Sequence, residues 1–176
     1  MFMRDRNRGV TLVELMIGMV VVGIMLMAAG PSFVNMIDRN RVATQVNDFL
    51  LAVNIARSEA SRTGATVTLQ AVGTNTGNEF GEGFCVVAGP GGDCNGDLIR
   101  SFEPLSGGTT LDSLDQSNIR TIQFSPLGSL ANTNDQALRF DLCANNTEGR
   151  RIIISLIGRS KSHAPDDPDT NRRPSC

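Results

Sequence analysis

Arg8-Gly9-Val10-Thr11-Leu12-Val13-Glu14-Leu15 joins a basic leader to an apolar helix, and its reading decides the fold. Upstream, residues 1–9 carry Arg4, Arg6 and Arg8 against the single acid Asp5. Downstream, Val10 to Gly30 holds one charge, Glu14. A helix over 10–30 rises roughly 30 Å, the hydrocarbon thickness of a bilayer. Arginines just before it predict a cytoplasmic N terminus and export of everything downstream. A cleaved secretory signal would end near Ala28-Ala29-Gly30. The apolar run is longer than the roughly 7–15 residues of such a segment, however, and Pro31 would follow the cut. Glu14 is the anomaly. A carboxylate that reaches the bilayer centre costs about 2.5–3.5 kcal/mol, so it needs a partner. The helix contains no lysine or arginine to serve. A free α-amino group created by cleavage after Gly9 would.

These residues resemble the prepilin signal of type IV pilins and type II secretion pseudopilins: a basic leader ending in Gly, an apolar residue, Thr, two aliphatics, Glu and Leu. The resemblance implies that a prepilin peptidase cuts after Gly9 and methylates the new N terminus, Val10. It also implies that Glu14 pairs with the terminal amine of a neighbouring subunit during assembly at an inner-membrane platform. Gly23 and Pro31 fall where that family's long helix has its Gly and Pro. Both weaken a helix locally, by backbone entropy and by a missing N–H.

Beyond Pro31 the helical period continues while polarity rises. Val42, Val46, Phe49, Leu50, Val53, Ala56 and Ala60 recur at spacings that make one apolar stripe, and Thr63-Gly64 supplies a stop. The stripe is a docking face for a sheet. From Gly64 onward the signals are β: 66–69, 84–87, 119–124, 137–142 and 151–155 alternate or run apolar. Turn-rich segments separate them at 73–83, 89–97, 104–118, 125–136 and 144–149. The expectation is an α+β protein, a long helix packed on an antiparallel β head. Its parts are a leader 1–9, a transmembrane and filament-core helix 10–30, an amphipathic helix 31–64, a β head 65–159 and an extended tail 160–176.

The second half carries a resemblance of its own. Ala52-Val53-Asn54-Ile55-Ala56-Arg57-Ser58-Glu59-Ala60 resembles the helix-end "ARSEA" signature of the GspH/FimT family of minor pseudopilins and minor pilins. Phe80-Gly81-Glu82-Gly83-Phe84 resembles its "W..GW" segment with Phe for both Trp. Ile122-Gln123-Phe124-Ser125-Pro126-Leu127-Gly128 resembles its "I.F.P.G" turn, and 152–159 resembles its last strand with terminal Gly-Arg. The implied fold is the type IV pilin fold. The implied work is structural, in a type IV pilus or a type II secretion pseudopilus, with other minor and major pilins or pseudopilins as partners.

Four cysteines on the exported side are expected to form disulfides. Three connectivities exist. Cys85–Cys94, closing a short Gly-rich loop, and Cys143–Cys176, stapling the tail to a strand, are favoured. Zinc is disfavoured, since no CxxC pair exists and His163 is the only histidine. Asp93-Cys94-Asn95-Gly96-Asp97 begins like a calcium loop. It has Leu98 where such a loop needs Gly and Pro104 where it needs Glu, so an Asx turn is the simpler reading. With one His, no Trp and no Tyr, the chain shows no catalytic set and implies no cofactor.

The remaining lead is arginine. Of 16 basic residues all but Lys161 are Arg, although the net charge is −2 and removal of 1–9 takes away three Arg and one Asp, giving −4. Gly158-Arg159-Ser160-Lys161 resembles the Gly-Arg-x-Arg motif through which FimT-type minor pilins contact DNA. Arg150, Arg151, Arg159 and Lys161 are therefore the candidate DNA contacts, a local patch on an acidic protein. Glu148 and three tail aspartates (Asp166, Asp167 and Asp169) oppose them.

Overall fold

The computed structural model describes residues 10–74, 77–91, 93–114, 119–131, 136–145 and 147–176, without the side chains of 28–32 and 147. The leader, including Gly9, lies outside the described residues. Helix α1 runs Leu12–Thr63. It begins at Thr11, whose Oγ1 accepts the Glu14 N–H at 3.2 Å while its carbonyl accepts the Leu15 N–H at 3.2 Å. It ends where Gly64 adopts φ +66° and returns its N–H to Ala60 O at 3.0 Å. The backbone stays helical through Gly23 and Pro31, so neither position ends the helix.

The chain divides into two compact units, Met1–Ile37 and Asp38–Cys176. In the first, every described large apolar side chain faces outward, from Leu12 at 75% to Met27 at 84% exposed. Among the described residues no helix is long and apolar enough to cross a membrane. The described side chains of the apolar run end at Met27.

The second unit contains the whole buried core and both disulfides. Here α1 buries Val42, Gln45, Val46, Phe49, Ala52, Val53, Ala56 and Ala60, a stripe at helical spacing. Among the described residues eight strands follow: β1 Val67–Ala71, β2 Phe84–Ala88, β3 Leu98–Phe102, β4 Thr110–Ser113, β5 Thr121–Phe124, β6 Leu138–Ala144, β7 Thr147–Ile154 and β8 Ser160–His163. They form two four-stranded antiparallel sheets, β3-β2-β1-β5 and β4-β6-β7-β8. Both sheets send inward residues to the helix stripe: Val67, Leu69, Val86 and Ile122 from one, Leu111, Phe140, Leu142, Ile152 and Ile154 from the other. Phe49 sits at the centre, edge-on to Phe80, Phe84 and Phe140 at centroid distances of 5.4, 5.5 and 5.3 Å. The two phenylalanines that replace the family's tryptophans are thus core residues. Gln45 is the polar member of the stripe. Its Nε2 donates to Ser106 O at 3.0 Å and its Oε1 accepts from Thr109 Oγ1 at 2.7 Å, which satisfies the buried amide.

Three strands differ from the sequence expectation. β3 lies in the unassigned stretch between the turn-rich segments 89–97 and 104–118, β4 arises inside the second of these, and β8 occupies part of what the sequence presents as a bare extended tail. All three are edge strands. β3 and β8 bury little and so need not alternate apolar and polar residues; β4 does turn Leu111 and Ser113 inward, but only the first is apolar. The tail then turns into a 3-10 helix, Thr170–Arg172, with Asp169 as its N-cap. The head therefore extends past residue 159.

Two turns of one design join the sheets. Ser125-Pro126-Leu127-Gly128-Ser129 and Ser155-Leu156-Ile157-Gly158-Arg159 each return the glycine N–H to the first serine's carbonyl, at 2.8 Å in both. Each serine N–H bonds the carbonyl of the fifth residue, at 2.8 and 2.9 Å. Both glycines are left-handed, φ +75° and +74°, as a three-residue hairpin loop requires. The turns touch: Leu130 N–H donates to Leu156 O at 2.9 Å, and a Cβ on Gly158 would land inside contact of Gly128 O. Arg57 of α1 reaches this point and donates Nε–H to Gly128 O at 3.1 Å.

Because Phe49 meets rings from both sides of the core, Phe49→Ala should lower the stability of the 38–176 head by about 3–5 kcal/mol. Urea unfolding followed by circular dichroism would measure it. A loss below about 1 kcal/mol would contradict a central role for this ring.

Candidate functional site

At the N terminus, Thr11 caps α1 with Glu14 three residues on, the T-x-x-E arrangement of a capping box. Glu14 is exposed, in the first turn, where the helix dipole favours a negative charge. Its local role is to begin the helix cleanly. Its carboxylate also stands free to meet a cation from outside. Val10, 72% exposed, precedes the cap.

The helix-end signature resolves into separate tasks. Ala56 and Ala60 are buried against the sheets, and Arg57 bonds the Gly128 turn. Ser58 Oγ donates to Ile55 O at 3.0 Å. Glu59 accepts from Arg62 Nε at 2.9 Å, and that hydrogen bond holds its carboxyl below the usual carboxylate range.

Disulfides close Cys85–Cys94 and Cys143–Cys176, the pairs favoured from the sequence. The second spans 33 residues and on the chain-entropy account contributes about 3–4 kcal/mol. In the Asp93–Asp97 segment, Asp93 Oδ1 accepts the Asn95 N–H at 3.3 Å, an Asx turn. Among the described residues no group of three or more His, Cys, Asp or Glu side chains could hold a metal ion. Asp112 has its pKa raised by burial and by the nearby charge of Glu79, yet these two carboxyls gather no third ligand among the described residues.

The four candidate basic contacts part company. Arg151 is 5% exposed and is a structural residue, not a surface contact. It forks onto Asp141 through Nε and Nη2, both at 2.7 Å, and its guanidinium also donates to Asn171 O at 2.8 Å and Ser175 Oγ at 2.9 Å. Asp141 accepts the Ser175 N–H as well, at 2.6 Å. The strand register places Arg151 opposite Asp141, while the returning C terminus closes over both. A period-two reading of β7 cannot reveal this, because the lid comes from 20 residues downstream. Arg150 faces a different hollow, shared with Arg39 and the acids Glu148 and Asp166.

Arg159 and Lys161 do come together, along the β7–β8 hairpin. They line a groove of about 360 Å³ with His163 and Arg172, above Ile153 and Ile157. Neither Arg159 nor Lys161 has a carboxylate partner among the described residues. His163 Nδ1 lies 2.9 Å from Asp167 Oδ2, and Arg172 Nε lies 3.3 Å from Asp169 Oδ2. Backbone donation from Asp169, and then His163, hold the Asp167 carboxyl below its usual range. The groove can hold an anion. Arg172 belongs to the same C-terminal run of basic residues in the sequence, but only the fold of the tail brings it to the hairpin.

A long, outward-apolar helix with a capped Glu at its start, docked by its second half on a two-sheet β head, defines the type IV pilin class. The family model for the type II transport protein GspH matches residues 45–158, and the prokaryotic N-terminal methylation motif matches residues 4–30. The chain belongs to the GspH family, whose members are structural subunits rather than enzymes. Among solved structures, the type IV minor pilin FimU of Pseudomonas aeruginosa is similar with a TM-score of 0.59 and 21% identity, over 72% of this chain and 90% of FimU. A second crystal form of FimU gives 0.53 and 22%, over 69% and 90%. The minor pseudopilin EpsH of the Vibrio cholerae type 2 secretion system gives 0.49 and 11%, over 72% and 99%. No curated protein matches the chain.

The split between Arg151 and Arg159 is measurable. Arg151→Gln strands the buried Asp141 and should cost about 3–5 kcal/mol. Arg159→Gln, on the exposed hairpin, should stay within about 0.5 kcal/mol. Thermal melts of the two variants that coincide would refute the assignment.

Proposed function

We propose that this chain is a minor pilin made as a precursor, processed after Gly9 to begin at Val10, and built into a type IV pilus through residues 10–30. The observation behind this reading is the run of outward apolar side chains from Val10 to Met27, with Glu14 at its head. So much exposed apolar surface in one helix needs a bilayer or neighbouring helices to cover it. Before assembly, residues 10–30 anchor the subunit in the inner membrane, N terminus cytoplasmic and head periplasmic. Afterwards they join the fibre core, where Glu14 meets the Val10 amine of a neighbour. The prepilin peptidase, the assembly platform and other minor and major pilins are the partners this requires. The β head, self-contained and stapled by two disulfides, suits an oxidising compartment and contacts with other tip subunits.

The alternative machine is the type II secretion pseudopilus, the system after which the matched family model is described. The additional tail and the Arg159/Lys161 pair incline the reading to the pilus. Deletion of a pilus subunit abolishes twitching and spares exoprotein export, and a pseudopilin deletion does the reverse.

A second role rests on the groove. Arg159 and Lys161, exposed and without carboxylate partners among the described residues, present cations along one hairpin edge. Phosphates of a nucleic-acid strand are the chemistry such a line accepts, with weak and salt-sensitive affinity.

Two outcomes test these readings. Glu14→Ala should leave the leader cleaved, seen as a shift in gel mobility, while the subunit disappears from sheared fibres. Normal incorporation would defeat the pairing argument. For the groove, the 38–176 head should retard DNA in low salt, and Arg159→Gln with Lys161→Gln should abolish the shift. Failure of the wild-type head to bind would end the second role and leave the first intact.

A further inference from the structure

We propose that the C-terminal strap, residues 164–176, is the second wall of the basic groove, and that Arg172 is a phosphate-contacting residue held in place by the Cys143–Cys176 disulfide. The inference rests on the phosphate-binding reading of the groove given above.

Two cations of the groove, Arg159 and Lys161, belong to the β7–β8 hairpin together with His163, and the third, Arg172, belongs to the strap. The strap is not free to wander. Its last residue is covalently tied to Cys143 on β6. Ser175 is gripped on both sides, its N–H by Asp141 and its Oγ by Arg151. Arg151 also takes the Asn171 carbonyl, next to Arg172. Within the strap, Asp169 Oδ1 caps the 3-10 helix by accepting the Asn171 N–H at 3.0 Å, and Arg173 Nε donates to Asp167 O at 2.7 Å. Arg172 is thus carried on a short rigid turn whose base is the buried Arg151–Asp141 pair and whose end is the disulfide.

The acids of the strap do not cancel the groove. Asp167 is occupied by His163 and by the Asp169 N–H. Asp169 engages Arg172 through Nε, and the two side chains are 42% and 49% exposed respectively, so the Arg172 guanidinium still reaches solvent with further N–H groups to donate. Arg159 immediately precedes β8 and Lys161 is its second residue, so where the chain is extended their backbones are about 6.7 Å apart. That is of the order of the separation between successive phosphates along an extended nucleic-acid strand. With Arg172 on the facing wall and Ile153 and Ile157 beneath, the site is a channel for a linear phosphodiester chain rather than a flat patch for a membrane surface.

Gly149 shows how tightly the latch is built. A Cβ there would collide with Cys176 Sγ and with Leu142 O, so only glycine lets the strap's end pack onto the β6–β7 pair. Opening the disulfide removes the covalent tie and leaves the strap on its hydrogen bonds alone.

The test uses the full-length protein in a non-ionic detergent, with a fluorescent single-stranded oligonucleotide followed by anisotropy across a salt series. Arg172→Gln keeps both disulfides and the exposed position, and should weaken binding roughly two- to fivefold. It should also lower the salt slope by about 0.7, the value for neutralising one phosphate fewer on a single strand. Cys143→Ser with Cys176→Ser should weaken binding by as much, and adding Arg172→Gln to it should cost nothing more. If that double variant fails to fold, Arg172→Gln alone decides. Wild-type affinity in Arg172→Gln, with weakened binding in Arg159→Gln/Lys161→Gln, would overturn the strap proposal and leave the groove reading standing. No binding by the wild type overturns both. Binding to phosphatidylglycerol vesicles but not to the oligonucleotide would overturn the strand as the ligand.

Discussion

The hydrogen bond from Arg57 to the Gly128 carbonyl fixes where the parts of the head can meet. One helix stripe must be covered by two separate sheets, since neither four-stranded sheet alone supplies the whole core. The sheets come together at two turns of the same design, and the turns approach so closely that Gly158 has no room for a Cβ beside Gly128 O. Both glycines are also left-handed, so steric and conformational demands coincide. Arg57 packs over them from the helix. The helix-end arginine and the two turn glycines thus form a single three-way joint.

Arginine does three different jobs in the head, and environment rather than sequence position separates them. Arg57 is half-buried and bonds a carbonyl. Arg151 is buried in an ion pair whose lone pairs and donors are taken up by Ser175 and Asn171. Such a pair is weak evidence of stabilisation against an apolar alternative, but losing one partner is costly. It therefore acts as a latch for the returning tail. Arg159 stands in solvent on a hairpin edge, where its charge is available to a ligand.

The two units answer to different solvents. The head satisfies itself, with its core closed and two disulfides in place. The N-terminal unit does the opposite and offers its apolar side chains outward. Nothing among the described residues covers them. Glu14 links these levels, since the residue that helps start the helix is also the charge that calls for a partner.

The helix, its apolar stripe, five of the strands and the prepilin signal were legible in the sequence because each rests on local periodicity or on a short contiguous motif. β3 and β8 were not legible because they lie at sheet edges and bury too little to imprint an alternating pattern, and β4 was not because one of its two inward residues is Ser113. Arg159 and Lys161 could be singled out as neighbours on one hairpin. That Arg151 belonged inside, and Arg172 beside them, could not be read, since both depend on where the last dozen residues return. By itself the sequence determined the processing signal, the long helix, the α+β class and the turn glycines, all properties of adjacent residues. The tertiary structure alone decided which charges are buried and which are free, because burial depends on contacts between segments far apart in the chain.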